Sequence, residues 1–194
     1  MTIVSVAGLT FCLIFLQVKT THALTLLTKK EALVSIFGKS AQVVIEKKEL
    51  KGDVLERIKK RLGGQLVHFQ QDSESEQVTQ MNEITFYFVV RNGKRVGTAI
   101  VDVEPGKWGP VEFIIAMDFK PTIRAVKVMS YVEKRGRPIA RSSFMNQYKG
   151  KTGKNTLTVG KDITGIAGAT ISSRSATFAV KKALVLFEEF YLNK

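Results

Sequence analysis

Residues 84–90 (ITFYFVV) string β-branched and aromatic side chains together; Asn92 and Gly93 follow, and residues 95–103 return to an apolar pattern. Asn-Gly is a strong signal for a two-residue hairpin, because both positions tolerate positive φ. The chain is thereby committed to an antiparallel strand pair. A second pair, residues 111–119 and 123–132, turns around Lys120 and Pro121.

Helices flank these strands. Thr28 and Glu31 have capping-box spacing, and Ala32, Leu33, Ile36 and Phe37 follow on one helical face, with Gly38 as a stop. A second helix is predicted over residues 53–62, ending at Gly63 and Gly64, and residues 65–70 read as a first strand. Residues 72–76 (DSESE) read as a solvated loop, and residues 139–148 as a short helix or loop. Residues 172–191 make a final amphipathic helix that turns Ala176, Ala179, Val180, Ala183, Leu184 and Phe187 inward. Strands bracketed by helices predict an α+β domain with a largely antiparallel sheet.

Residues 3–18 carry no charge and have about the length of a signal-peptide core, and Thr21-His22-Ala23 supplies a small-x-small cleavage pattern. No Lys or Arg precedes that core, so three readings stay open: cleavage after Ala23, retention as a short anchor, or a buried helix. Either of the first two makes the body extracytoplasmic, periplasmic in a bacterium. The expected organisation is a signal or anchor over 1–23, a helical region leading into the sheet over 24–80, and the main domain over 81–194.

Thirty Lys and Arg against 17 Asp and Glu leave a formal charge of +13, which attracts polyanions. An exported body rarely meets nucleic acid, so anionic lipid or an acidic protein are the expected partners of that charge. A single cysteine excludes an internal disulfide framework, and with only two histidines it also excludes Cys-rich zinc sites. Gly150-Lys151-Thr152 imitates the end of a phosphate-binding P-loop, but Met145 stands where the loop needs a glycine. His68 alone supports no hydrolase arrangement.

Residues 164–174 (TGIAGATISSR) are different: small residues crowd together just before a strong helix, with hydroxyls at its start. Such a segment is either an anion site, where helix N–H groups face an incoming charge, or a glycine-rich turn with an ordinary Ser cap.

Gly168-Ala169-Thr170-Ile171-Ser172 resembles the flavinylation motif of the FMN-binding domain family. Members of that family include the C subunit of the sodium-translocating NADH:quinone reductase and the G subunit of the Rnf complex. Three more blocks occur in family order. Trp108-Gly109-Pro110-Val111-Glu112 is similar to the family's Gly-Pro-Ile strand. Residues 128–136 (VMSYVEKRG) resemble its vLxHxETPG segment, with Tyr131 for His, Glu133 kept, and Lys134-Arg135 for Thr-Pro. Residues 144–151 (FMNQYKGK) match FxxQFxGK. Ala167 stands where the family usually has Ser or Thr, and Thr164 where it usually has Asp, with Asp162 two places earlier.

The resemblance implies FMN carried by phosphoester on Thr170, which closes the family's Ser/Thr-Gly-Ala-Thr string. It implies that Gly168, Ala169, Ile171, Ser172 and Ser173 surround the phosphate, the amides of 171–173 facing it. Glu133 and Tyr131 would shape the flavin pocket, Gln147 and Lys151 would support it, and Trp108 is a candidate to stack near the ring. Arg135 belongs to a basic cluster with Lys134, Arg137 and Arg141 that is either a flavin-tuning charge or a solvated, headgroup-contacting face. The implied protein is an electron-transfer flavoprotein rather than a classical enzyme. It would need a flavin transferase for maturation and redox partners or a membrane electron-transfer complex. The competing reading is a non-redox binding module that uses its basic face.

Overall fold

A computed structural model describes residues 23–67, 82–132 and 138–193. The apolar segment 3–18, His68, the 72–76 stretch, Glu133, Lys134, Arg135 and Arg137 lie outside the described residues.

The elements follow as β1 (Leu24–Thr25), α1 (Lys29–Phe37), β2 (Gln42–Glu49), α2 (Gly52–Arg61), β3 (Glu83–Arg91), β4 (Lys94–Pro105), β5 (Pro110–Asp118), β6 (Ile123–Tyr131), α3 (Ser142–Met145) and α4 (Thr170–Tyr191). A single 3-10 turn, Asn146–Tyr148, continues α3. The six strands form one sheet in the order β1-β6-β5-β4-β3-β2, and every pairing is antiparallel. The predicted α+β architecture is therefore the observed one.

Local chemistry explains most boundaries. The Thr28 side chain accepts from the Glu31 N–H while Glu31 reaches back to the Thr28 N–H, a complete capping box, and Gly38 ends α1. The hairpin turn has Asn92 at φ 50° and Gly93 at φ 71°, as Asn-Gly turns require. The expected strand at 65–70 is corrected: residues 65–67 carry no strand, and the remainder lies outside the described residues. The sheet takes β2 instead, a segment the periodicity passed over.

The sheet has two unequal faces. Under α4 and α2 lies the main core, where Phe86, Phe88, Phe113, Ile115 and Met117 meet the expected inward residues of α4, each at 0–1% exposure. Phe187 anchors it, its ring 5.2–6.5 Å from those of Phe86, Phe88, Phe119 and Tyr191. Among the described residues, α1 is the helix that covers the other face, over Val89, Ala99, Ile114, Ala116 and Met129. Burying α4 on the sheet fixes where its first turn points.

Candidate functional site

Helix α4 starts at Thr170, two residues before the expected Ser172. Its N-cap is Ala169, which has no side-chain acceptor for the first turn. The first α-type bond runs from the Ser173 N–H to the Ala169 carbonyl at 2.9 Å, so the amides of Thr170 and Ile171 precede the helical ladder. Ser173 is thus corrected: its amide serves the helix instead of facing outward. Its hydroxyl turns inward too, donating to the Ala169 carbonyl at 2.8 Å and accepting from the Ile166 N–H at 3.1 Å. The alternative of an ordinary Ser N-cap is not what the helix uses. Gly168, at φ +76°, makes the turn that delivers Ala169 and Thr170 to the helix start.

A second element meets this one. Between β4 and β5 the chain turns through Gly106, Lys107, Trp108 and Gly109, closed by a 2.8 Å bond from the Gly106 N–H to the Gly109 carbonyl. The buried Ser175 hydroxyl donates to the Pro105 carbonyl and ties that turn to the first turns of α4. A Cβ on Gly106 would stand 2.7 Å from the Gly109 oxygen and 2.9 Å from Val111 Cγ2, so the turn closes only around glycine.

Between the turn and the helix start lies a cavity of about 360 Å³ lined by Lys107, Trp108, Gly168, Ala169, Thr170, Ile171 and Ser172. Thr170 is exposed on its wall, and the Lys107 ammonium sits 5.1 Å from the Trp108 ring centroid. The cavity therefore combines an aromatic ring, a cation, an uncapped helix N-terminus and an accessible hydroxyl. That set suits a ligand with both an anionic group and an aromatic system.

Of the other expected residues, Gln147 and Lys151 stand behind the cavity rather than in it. The Gln147 carboxamide clamps Thr164, donating to its carbonyl at 3.1 Å and accepting from its N–H at 2.8 Å. Lys151 pairs with Asp162 at 3.4 Å, and Asp162 accepts from the N–H groups of Leu157 and Thr158. Partial burial works against the Asp162 carboxylate, but those two N–H groups and the Lys151 ammonium outweigh it and hold its pKa below the usual value. Both clamps fix the loop that leads into Gly168. Tyr131 is 3% exposed, within the main core, and does not line the cavity. Sequence reasoning did not single out Lys107 or Ser175. A lone lysine in a turn carries no signal, whereas Ser175 on the inward stripe of an apolar helix could have suggested a buried hydroxyl needing an acceptor.

The FMN-binding domain family matches residues 106–185, a span that opens at the Gly106 turn and runs through most of α4. The crystal structure of NqrC from Shewanella oneidensis is similar at 18% identity and a TM-score of 0.48, over 82% of this chain and 86% of that one. No curated protein matches the chain. Residues 106–185 are thus similar to the FMN-binding domain family, and that match supports FMN as the cofactor.

Proposed function

We propose that the chain is an extracytoplasmic electron carrier, or the electron-transfer subunit of a membrane complex, with FMN esterified to Thr170. The observation that carries this reading is the position of Thr170: first residue of α4, exposed, on the wall of the cavity shared with Trp108 and Lys107. The donor set fits the cofactor. When bound, FMN supplies one- and two-electron chemistry.

The residues divide the remaining work. Thr170 Oγ1 is the atom that would enter the ester. The amides of Thr170 and Ile171 precede the first α-type bond, and with the positive end of the helix dipole they favour a phosphate there. Lys107 adds a positive charge at the same cavity and favours an anionic reduced ring. Trp108 supplies an aromatic wall that excludes water from part of it. Gln147 and the Lys151–Asp162 pair keep the 162–168 loop in place, so the helix start is presented in one geometry. Redox protein partners and a flavin transferase follow from the proposal.

The test is an intact mass of the protein, made with its N-terminal segment and a co-expressed flavin transferase, beside a Thr170→Val control. A gain of one FMN less water, absent from the control, is the expected result. No gain, together with a colourless native protein, would sink the electron-carrier reading and leave the non-redox binding module.

A further inference from the structure

Among the described residues, the two ends of β6 are closed on its outer side and its middle is not. At one end the Ile123 N–H donates to the Lys151 carbonyl and the Ile123 carbonyl accepts from the Gly150 N–H, both at 2.8 Å. At the other, β1 pairs with Ser130 and Tyr131, and the Met129 carbonyl accepts from the Leu26 N–H at 2.7 Å. Among the described residues no strand pairs with the outer side of residues 124–128. Five residues of strand span about 17 Å.

That open edge is the floor of a groove. Two cavities of about 550 and 260 Å³ run along it and share Ala125 and Lys127. One is walled by Ser35 and Ile36 of α1 against Lys149 and Gly150. The other lies between Leu26 and Leu27 on one side and Ser142 and Met145 of α3 on the other. Neither shares a lining residue with the cavity at Thr170.

The groove is also charged. Arg124, Lys127 and Lys149 line it with one carboxylate, Asp118, which pairs with Arg124 at 3.3 Å. Lys127 donates to the Ser35 hydroxyl at 2.9 Å, and among the described residues neither Lys127 nor Lys149 meets a carboxylate. We propose that the outer edge of β6 is a docking site for an acidic, extended segment of a partner protein, which adds as a further strand. A strand edge is matched by another polypeptide backbone, and not by a lipid headgroup. The cations select an acidic strand. The other sheet edge of this chain, β2, is a poorer occupant, because its residues 46–49 alternate no favourable charge: two glutamates against two lysines.

The test uses the full chain and a fluorescein-labelled peptide, Thr-Glu-Val-Glu-Thr-Glu-Val. Controls are the same peptide with alternate amides N-methylated, and a version with lysine for glutamate. Saturable binding is expected, with hydrogen exchange at the outward amides of residues 124–128 slowed at least tenfold. The Lys127→Glu/Lys149→Glu double variant should bind at least tenfold more weakly, while its circular dichroism matches the parent. Equal binding of the N-methylated or the lysine peptide would overturn the proposal. So would unchanged exchange at 124–128. Concentration-dependent protection of those amides in the free chain would assign the edge to a second copy and overturn it as well.

Discussion

Helix α4 carries polar groups in two places, and they are treated in opposite ways. At its start, Thr170 is exposed, the N-cap has no side-chain acceptor, and the first amides open beside a cavity. In its middle, Lys182 is sealed at 1% exposure between Asp102 and Glu104 of β4, at 1% and 0%. Its ammonium stands 2.8 Å from Asp102 Oδ1, donates to Glu104, and donates to the Leu66 carbonyl at 2.8 Å. The contact with Asp102 is close but falls short of an aligned hydrogen bond. Two carboxyl groups face one cation, so burial raises the Asp102 pKa and favours its protonated form. Burial opposes the Lys182 ammonium, but the charges of Asp102 and Glu104 outweigh that and raise its pKa. Polar groups left open at a helix end are available to a ligand; those sealed against one another serve the fold.

The largest way to break this comparison is Lys182→Met. It leaves two buried carboxyl groups without their cation and should cost about 3–5 kcal/mol in urea unfolding. Replacing all three together, Asp102→Leu, Glu104→Leu and Lys182→Met, should recover most of that loss, because no charge is then left buried. A single-variant cost under about 1 kcal/mol would mean the three groups do not act as a unit.

Next is Ser175→Ala, which joins the two regions. It strips the Pro105 carbonyl of its donor at a buried position, at a cost of about 1–3 kcal/mol. The same change should speed hydrogen exchange in the 106–109 turn, because that bond ties the turn to α4.

How far these features were legible depends on which side of the chain water touches. α1 and the inward stripe of α4 could be read because capping spacing and 3.6-residue periodicity have one meaning each. β2 could not: Val43, Val44 and Ile45 are consecutive and all exposed at the sheet edge, so no alternation marks a buried side. The triad misleads in a sharper way. Alternation of Val101 and Val103 with Asp102 and Glu104 would place the carboxylates in water, yet Val103 is 38% exposed and both acids are buried. The long helix covers the face that bears the acids, and only tertiary packing decides that. At the candidate site, the motif marked the segment that ends at Thr170 and lines the cavity, while Lys107 reaches that cavity only because of where its turn docks.

A smaller effect concerns pH. Asp102 has a folded pKa above its unfolded value, so its stabilising contribution is complete below about pH 4 and is lost as pH rises through the folded value. Asp102→Asn mimics the protonated acid and cannot lose a proton. The parent's stability relative to this variant should therefore fall as pH rises above about 4, by at most about 1.4 kcal/mol per pH unit. Glu189 has the opposite sign. Burial disfavours its carboxylate, but Arg57, Arg61 and Asn193 outweigh that and lower its pKa. Its contribution is present above its unfolded value and fades as pH drops through the folded one. Urea midpoints of Asp102→Asn and Glu189→Gln, followed from pH 3 to 7 against the parent, should diverge in opposite directions.

The smallest expected effect is the most informative about the open end of α4. Thr170 makes no side-chain hydrogen bond with another described residue, is exposed, and sits at the first helical position, where valine keeps the same shape. Thr170→Val should therefore change stability by no more than about 0.5 kcal/mol, a shift of about 1–2 °C in Tm for a chain of this size. Thermal unfolding of the flavin-free proteins measures this without reference to attachment. A near-zero shift, set beside the loss of the FMN mass in the same variant, would separate a group kept for its chemistry from one kept for the fold. A loss above about 1 kcal/mol would instead give the hydroxyl a structural role, comparable to that of Ser175. The contrast between the two halves of α4 would then fail at the residue on which the proposed attachment depends.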